Sequence, residues 1–222
     1  MFWRIAKIGK CAITDFAASE LKRYMNMIDS DNEYVIMSFD EYDSSFSDAL
    51  WIGESEAFSL PDVKDKEFDD GISINVHGQS GYITGTNPRS ILIAAYRFLR
   101  ELGCAFVRPG KDGEIIPKRS LSNVDVSVCE AASYRHRGIC IEGAVSAQHV
   151  LSNIEWMPKV GMNAFFNQFL VPLTFYDRWY SHKSNPVYDA EKFTLKDAEG
   201  IMNASIEEIK KRGLNHYCVF KE

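Results

Sequence analysis

Two carboxylates in the last part of the chain stand directly after strand-like runs. Glu142 follows the run Arg135–Ile141, and Glu222 follows the run 215–220. In a barrel of alternating strands and helices, catalytic side chains lie at such strand ends, where a carboxyl group can donate or accept a proton. Glu142 is the better candidate for a pocket residue, and the alternative is a salt-bridge residue at a helix entry or between strands. Glu222 is the final residue of the sequence and is expected to fray.

Amide and aromatic side chains also accompany the next strand-like run, at residues 162–171. Asn167 and Gln168 close that run, and their amides could hydrogen-bond the hydroxyl groups of a sugar. The loop behind them is long and aromatic. Because aromatic faces stack on the C–H surfaces of sugars, Trp179 with Tyr176 or Tyr180 could form a carbohydrate platform. The alternative is a hydrophobic lid on the rim of the fold.

The elements that would hold these residues alternate between strands and helices. Strand-like runs at 135–141, 162–171 and 215–220 are separated by two predicted helices, which is the opening of a TIM-type (β/α)8 barrel. A complete barrel takes about 250 residues, far more than residues 131–222 provide. We therefore expect a truncated, partial TIM barrel of three parallel strands and two helices.

Residues 1–130 predict a separate α+β domain. The run Phe2–Ile8 alternates as a strand, and a helical stripe with an N-cap at Thr14-Asp15 follows it. The segment 70–84 predicts a hairpin with its turn at the glycines Gly78 and Gly81. Asn87-Pro88 opens a second helix that ends at Gly103. We expect helices on one side of a mixed sheet and a helix-free stretch at 121–132 that leads onward.

Composition excludes several classes of function. The formal net charge of −6 argues against a nucleic-acid partner, and no apolar run is long enough for a membrane span. The five cysteines have no metal-like or disulfide spacing, so reduced and mostly buried thiols in a cytoplasmic protein are expected. No cofactor and no metal are expected, because His182 and His216 lack a ligand partner at useful spacing and no glycine fingerprint follows a strand.

Two stretches together resemble glycoside hydrolases of family 20 and family 67, the β-N-acetylhexosaminidases and α-glucuronidases. They are residues 81–117, with Leu-Gly and Pro-Gly after a helix, and residues 134–163, where Arg-Gly opens a strand. The resemblance implies a small α+β domain in front of a TIM barrel. It also aligns Arg137 with an arginine that holds sugar hydroxyls, and a guanidinium fork suits vicinal hydroxyls or a uronic carboxylate. The alternative for Arg137 is an ion pair at the bottom of the barrel.

The sequence departs from that family pattern where the substrate is bound. Family 20 enzymes carry a His-rich second strand with an acidic end, whereas this chain has Phe166-Asn167-Gln168. Their catalytic Asp-Glu pair would fall beyond Glu222, although hydrolysis of a glycosidic bond needs at least one acid and generally two carboxyl groups. We therefore predict the N-terminal fragment of a hydrolase acting on a hexosaminide or uronide, inactive as this fragment. A non-enzymatic carbohydrate- or protein-interaction module is the alternative.

Two further expectations concern the faces of the strands and the unpaired edges of the partial barrel. Arg137 and Glu142 are five positions apart, so a regular strand turns them to opposite faces unless a bulge intervenes. An incomplete barrel would leave an apolar inner face, which we assign to Ile139, Ile141, Phe165 and Phe169. Unpaired strand edges beside such a face predict self-association.

Overall fold

A six-stranded mixed sheet forms the centre of the first part of the chain in the computed structural model, which describes residues 2–141, 146–167 and 173–218. Its spatial order is β2-β1-β3-β5-β4-β8; β2, β1, β3 and β5 run parallel, while β4 is antiparallel to both β5 and β8. A separate ribbon pairs β6 with β7. The bounds are β1 Phe2–Ile8, β2 Glu33–Phe39, β3 Leu50–Ile52, β4 Gly71–His77, β5 Ser80–Gly85, β6 Ala105–Phe106, β7 Glu114–Ile115 and β8 Asp125–Ala131.

Two helices, α1 (Ala12–Ile28) and α2 (Pro88–Glu101), cover one face of this sheet, as predicted. Asn87 caps α2 by accepting a hydrogen bond from the backbone N–H of Ser90 at 2.9 Å, and the chain leaves the helix through Gly103 at φ 99°. The predicted cap of α1 was wrong. Cys11 occupies the N-cap without a side-chain bond, so Thr14 lies within the first turn and is buried.

The stretch predicted to be free of helix at 121–132 contains strand β8, which the sequence analysis did not predict. It pairs along its whole length with β4, from Gly71↔Ala131 to His77↔Asp125. Its burial alternates weakly because β8 is an edge strand with one half-exposed face. The sequence nevertheless alternates there, with Val124, Val126 and Val128 following Asn123, Asp125 and Ser127.

A second sheet follows, in which three short strands run parallel in the order β9-β10-β11. The predicted parallel pairing of these strands is confirmed. The sequence predicted two helices between them and the structure has three, because the aromatic loop after β10 contains α4. The bounds are β9 Gly138–Cys140, α3 Ala147–Trp156, β10 Ala164–Asn167, α4 Leu173–Tyr180, α5 Leu195–Lys211 and β11 Asn215–Cys218, with 3-10 turns at Lys111–Gly113 and Met157–Val160.

The assignment of Ile139, Ile141 and Phe165 to an open inner face was wrong. Phe165 is fully buried against apolar side chains of α3 and α5, and both isoleucines pack on the same cluster. Successive side chains of a strand alternate between faces. The opposite, open face therefore carries His136, Cys140, Phe166 and Tyr217, which line a shallow groove. Phe169 lies outside the described residues.

The expectation of mostly buried thiols was also wrong. Of the five cysteines, Cys104 alone is buried, while Cys129 and Cys140 are exposed. Burial raises the pKa of the Cys104 thiol to about 12, so this thiol is protonated and unreactive at neutral pH. Among the described residues, no helix is both long and apolar enough to cross a membrane.

Candidate functional site

An aromatic cavity lies in the connection between β10 and α5. It has a volume of about 570 Å³ and is formed by the end of α4 and the loop that follows. Because the connection leaves the carboxyl end of a parallel strand, it lies on the side where α/β folds bind ligands. The residues that line the cavity are Arg178, Trp179, Tyr180, His182, Ser184, Asn185, Pro186 and Tyr188.

The aromatic residues of this segment divide into packing residues and exposed residues. Tyr176 is fully buried, with its ring 5.5 Å from that of Tyr180. Burial raises the pKa of Tyr180 to about 12. Trp179 is 49% exposed and Tyr188 is 65% exposed, and both line the cavity. Trp179 is therefore accessible enough for the predicted contact with a sugar. The burial of Tyr176 fits the alternative, in which the segment is a hydrophobic lid.

Asn167 closes β10 as predicted, but it lies on the helix-facing side of the sheet. It has the parity of Phe165 and is 2% exposed. Its Oδ1 lies 2.6 Å from Nε2 of His216 on the neighbouring strand, and partial burial lowers the pKa of His216. These contacts give no support to a sugar contact by Asn167, which stays a prediction.

Arg137 lies at the amino end of the parallel sheet, opposite to the aromatic cavity along the strands. Its Nη2 donates to Oδ2 of Asp70 at 2.6 Å, its Nε donates to the carbonyl of Gly161 at 2.8 Å, and its Nη1 donates to the carbonyl of Tyr134 at 2.7 Å. These contacts match the ion-pair alternative. They leave little of the guanidinium for a ligand, and the sugar contact stays a prediction.

Asp70 is the centre of a buried polar junction between the two sheets. Oδ1 accepts from Nε of Arg89 at 2.9 Å and from Oγ of Ser90 at 2.9 Å, and Oδ2 accepts from Arg137 and, at 2.6 Å, from Nδ2 of Asn163. Burial by itself would raise the pKa of Asp70. The charges of Arg89 and Arg137 and the hydrogen bonds they donate outweigh it, so the pKa is lowered and the carboxyl group is ionised at neutral pH.

A second junction joins the same two parts of the chain through Lys159, in the 3-10 turn after α3. Its side chain is 3% exposed, and Nζ lies 2.7 Å from Oε1 of Glu114 and 2.9 Å from Oε1 of Glu155. Nζ also lies 5.6–6.0 Å from the ring centroids of Tyr24, Tyr96 and Phe106, within the range of cation–π attraction. This buried lysine is therefore a structural contact between the two parts.

The remaining predicted site residues, Glu142, Gln168 and Glu222, lie outside the described residues. Their roles as substrate contacts stay predictions. Within the described part of the chain, no three His, Cys, Asp or Glu side chains come close enough together to hold a metal ion.

Apart from Arg137, sequence reasoning missed the residues of both junctions. Asp70 was taken only as the start of a hairpin strand, although a carboxylate directly before an apolar alternating run has to be exposed or paired. Asn163 interrupts an otherwise apolar run in the same way, and it is fully buried. Polar residues inside apolar runs were the available signal, but their partners lie far away in sequence, so no local pattern could name them.

By sequence, the chain matches no described protein family and no curated protein. Its fold does match solved structures. A GH138 enzyme targeting pectin rhamnogalacturonan II aligns with a TM-score of 0.59 at 16% identity, over 98% of this chain and 24% of that enzyme. A mutant β-hexosaminidase from Streptomyces plicatus, in complex with GlcNAc, aligns with a TM-score of 0.58 at 9% identity, over 96% of this chain and 40% of that enzyme.

A third match extends the same pattern. A GH20 exo-β-N-acetylglucosaminidase mutant from Vibrio harveyi aligns with a TM-score of 0.55 at 12% identity, over 98% of this chain and 33% of that enzyme. The shared property is the fold. The predicted resemblance to glycoside hydrolases is confirmed at that level, and the chain spans between a quarter and two fifths of the length of these enzymes.

Proposed function

We propose that this chain is part of a glycoside hydrolase, in which it supplies an α+β domain and the first three strands of a TIM-type barrel. The observation that carries the proposal is the fold match. It extends over at least 96% of this chain in two enzymes of different glycoside hydrolase families, and it includes both sheets. In the proposed barrel, the face with His136, Cys140, Phe166 and Tyr217 would turn inward.

The aromatic cavity after β10 supports a carbohydrate ligand within this proposal. In a barrel, the loops at the carboxyl ends of the strands form the active site, and this connection is such a loop. A half-exposed indole such as that of Trp179 offers a flat apolar surface with a polar edge. That combination fits the apolar face and the hydroxyl rim of a pyranose, with the sugar class being a hexosaminide or a uronide.

Sugar binding tests the proposal directly. The chain is titrated with N-acetylglucosamine, glucose and short oligosaccharides, and binding is followed by tryptophan fluorescence and by NMR of the backbone amides. Trp179→Ala should weaken binding about two- to twelvefold, since an aromatic contact contributes roughly 0.5–1.5 kcal/mol. The matched control is Tyr134→Ala, which removes an aromatic side chain that is 76% exposed and does not line the cavity. If no sugar binds at millimolar concentration, or if both variants behave alike, the platform is refuted.

The alternative function is a non-enzymatic interaction module, which the open face of the parallel sheet favours. Self-association, in contrast, is expected of the incomplete barrel, and light scattering at tens of micromolar measures it. The cytoplasmic location is likewise a proposal, supported by the free thiols of Cys11, Cys104, Cys129 and Cys218.

A further inference from the structure

Three side chains that carry metal-binding atoms meet at the carboxyl ends of β10 and β11. Asn167 closes β10, Cys218 closes β11 directly beside it, and His216 lies two positions before Cys218. Residues two apart on a strand share a face, so His216 and Cys218 lie on the helix-facing side with Asn167. Nε2 of His216 is 2.6 Å from Oδ1 of Asn167 and 3.6 Å from Sγ of Cys218. An oxygen, a nitrogen and a sulfur atom therefore converge in one small volume.

The separation of the nitrogen and the sulfur is the one that a shared zinc ion requires. With a Zn–S distance of about 2.3 Å, a Zn–N distance of about 2.0–2.1 Å and a tetrahedral angle, the two ligand atoms lie about 3.6 Å apart. Sγ of Cys218 and Nε2 of His216 have this separation. An oxygen and a nitrogen ligand of zinc lie about 3.4 Å apart, so Oδ1 of Asn167 must withdraw slightly from the imidazole. A small rotation of one amide is the only change that the three side chains need.

We propose that Cys218, His216 and Asn167 bind a zinc ion, which ties the carboxyl ends of β10 and β11 together. The thiol of Cys218 releases its proton to solvent and its sulfur binds as the thiolate, Nε2 of His216 binds while Nδ1 carries the ring proton, and water takes the fourth position. Thiolate and imidazole select zinc over magnesium or calcium, which prefer oxygen ligands. His216 is exposed, which gives the ion a path of entry. The expectation from the sequence that His216 lacks a ligand partner overlooked Cys218, two positions away on the same strand.

Cobalt(II) tests the site, because a thiolate bound to this ion gives a charge-transfer absorption in the near ultraviolet. The whole chain, kept reduced, is titrated with Co²⁺ and then with Zn²⁺, which should displace it, and about one proton should be released for each ion bound. Cys218→Ser should abolish the absorption. His216→Gln should weaken Zn²⁺ binding more than about tenfold, since even partners outside the coordination shell change metal affinity about 10–100-fold. Asn167→Asp should tighten binding about tenfold or more, because it replaces an amide by a carboxylate, a common zinc ligand.

The matched controls are Cys140→Ser and His136→Gln, which remove the same kinds of atoms from the opposite, open face of the same sheet. Both should bind the metal as wild type does. An equal loss in Cys140→Ser and Cys218→Ser would show adventitious binding by exposed thiols and overturn the proposal. Absence of the absorption at millimolar Co²⁺, or an Asn167→Asp variant that binds no better than wild type, would also overturn it. Because Asn167→Asp is expected to gain binding, the test does not depend on whether the loss variants fold. None of these results bears on the proposed function, which is supported by the fold match.

Discussion

Replacing Asp70 by asparagine should destabilise the protein severely. The carboxylate is 3% exposed and accepts hydrogen bonds from Arg89, Ser90, Arg137 and Asn163. The side chain of Arg89 is 7% exposed and that of Arg137 is 21% exposed, so the variant leaves one buried and one largely buried cation without a counter-charge. Removing one partner of a buried ion pair costs about 3–5 kcal/mol.

The new amide adds a second cost. One end of the Asn side chain can still accept from Arg89, but its NH₂ group would face the donors of Arg137 and Asn163. Because domains are typically stable by about 5–15 kcal/mol, a loss of this size is at least about a fifth of the total free energy of unfolding and can reach all of it. Urea unfolding, followed by circular dichroism and by tryptophan fluorescence, measures it as a lower midpoint.

The matched control is Asp125→Asn. Asp125 pairs with His77 on the surface, and its side chain is 80% exposed. An exposed pair contributes about 0–1 kcal/mol, so this variant should unfold close to wild type. If Asp70→Asn lies within about 1 kcal/mol of wild type at pH 7, or if the two variants are equal, the argument that the junction is a buried ion pair is refuted.

The difference in unfolding free energy between wild type and Asp70→Asn should also depend on pH, which gives an independent check. The folded-state pKa of Asp70 is lowered, while the unfolded value is about 3.9. The charge of Asp70 therefore makes its full contribution to the free energy of unfolding above the unfolded-state pKa. This contribution is lost as the pH falls through the folded-state pKa. The gap between wild type and Asp70→Asn should be constant from about pH 5 to pH 8 and should narrow below about pH 4. A gap that widens in acid would contradict the assigned sign.

Three further predictions concern packing, backbone and activity. Phe165→Ala should lower the free energy of unfolding by about 3–5 kcal/mol, because the ring of Phe165 is fully buried among the helices. Phe166→Ala, on the open face, should lower it by about 1.5 kcal/mol or less. Equal losses would contradict the assignment of the two faces. Gly81 has a φ of 138°, and the Cβ of Gly81→Ala would meet the backbone oxygen of Asn75, so this variant should lose more than about 3 kcal/mol of unfolding free energy. Gly78 has a φ of 60° and open space around it, so Gly78→Ala should lose about 1–2 kcal/mol in thermal unfolding. The chain should not hydrolyse nitrophenyl hexosaminides or glucuronides above background, because glycosidic hydrolysis requires a catalytic acid and the chain spans only 24–40% of the length of the enzymes it matches. Turnover that is lost in Glu142→Gln would contradict this.

Local patterns predicted the elements better than they predicted the side-chain roles. The hairpin at Gly78 and the Asn87 cap of α2 were found because turn and cap chemistry is encoded within four residues. Parallel pairing followed from the alternation of strands and helices. Strand β8 was missed although Val124, Val126 and Val128 alternate with polar residues. Its partner β4 lies some fifty residues earlier, so no hairpin turn marks the pairing.

Site residues were harder, because their environment depends on parity and on distant partners. The inner face of the parallel sheet was assigned to Ile139 and Phe165 because they are apolar. Apolar side chains in β9 and β10 instead face α3 and α5, which bury them. The role of Arg137 depended on Asp70, which is 67 positions away. Trp179 was singled out because the segment after β10 is rich in aromatic residues; it lies in α4, and its contact with a sugar stays a prediction.

The junction at Asp70 has a consequence for recombining this fold. It ties the amino ends of the parallel strands to the first sheet through directional bonds: Asn163 precedes β10, and Asn215 begins β11 and accepts from Nη1 of Arg89 at 3.1 Å. Apolar surfaces from related proteins can often be exchanged and repacked, but a half-satisfied polar network is worse than none. A chimaera that takes its first sheet from this chain and its barrel strands from another protein must therefore carry Arg137, Asn163 and Asn215 along with Asp70 and Arg89. All five residues must be transferred together. The two parts of such a chimaera should therefore not be joined within the segment 132–137 between the sheets.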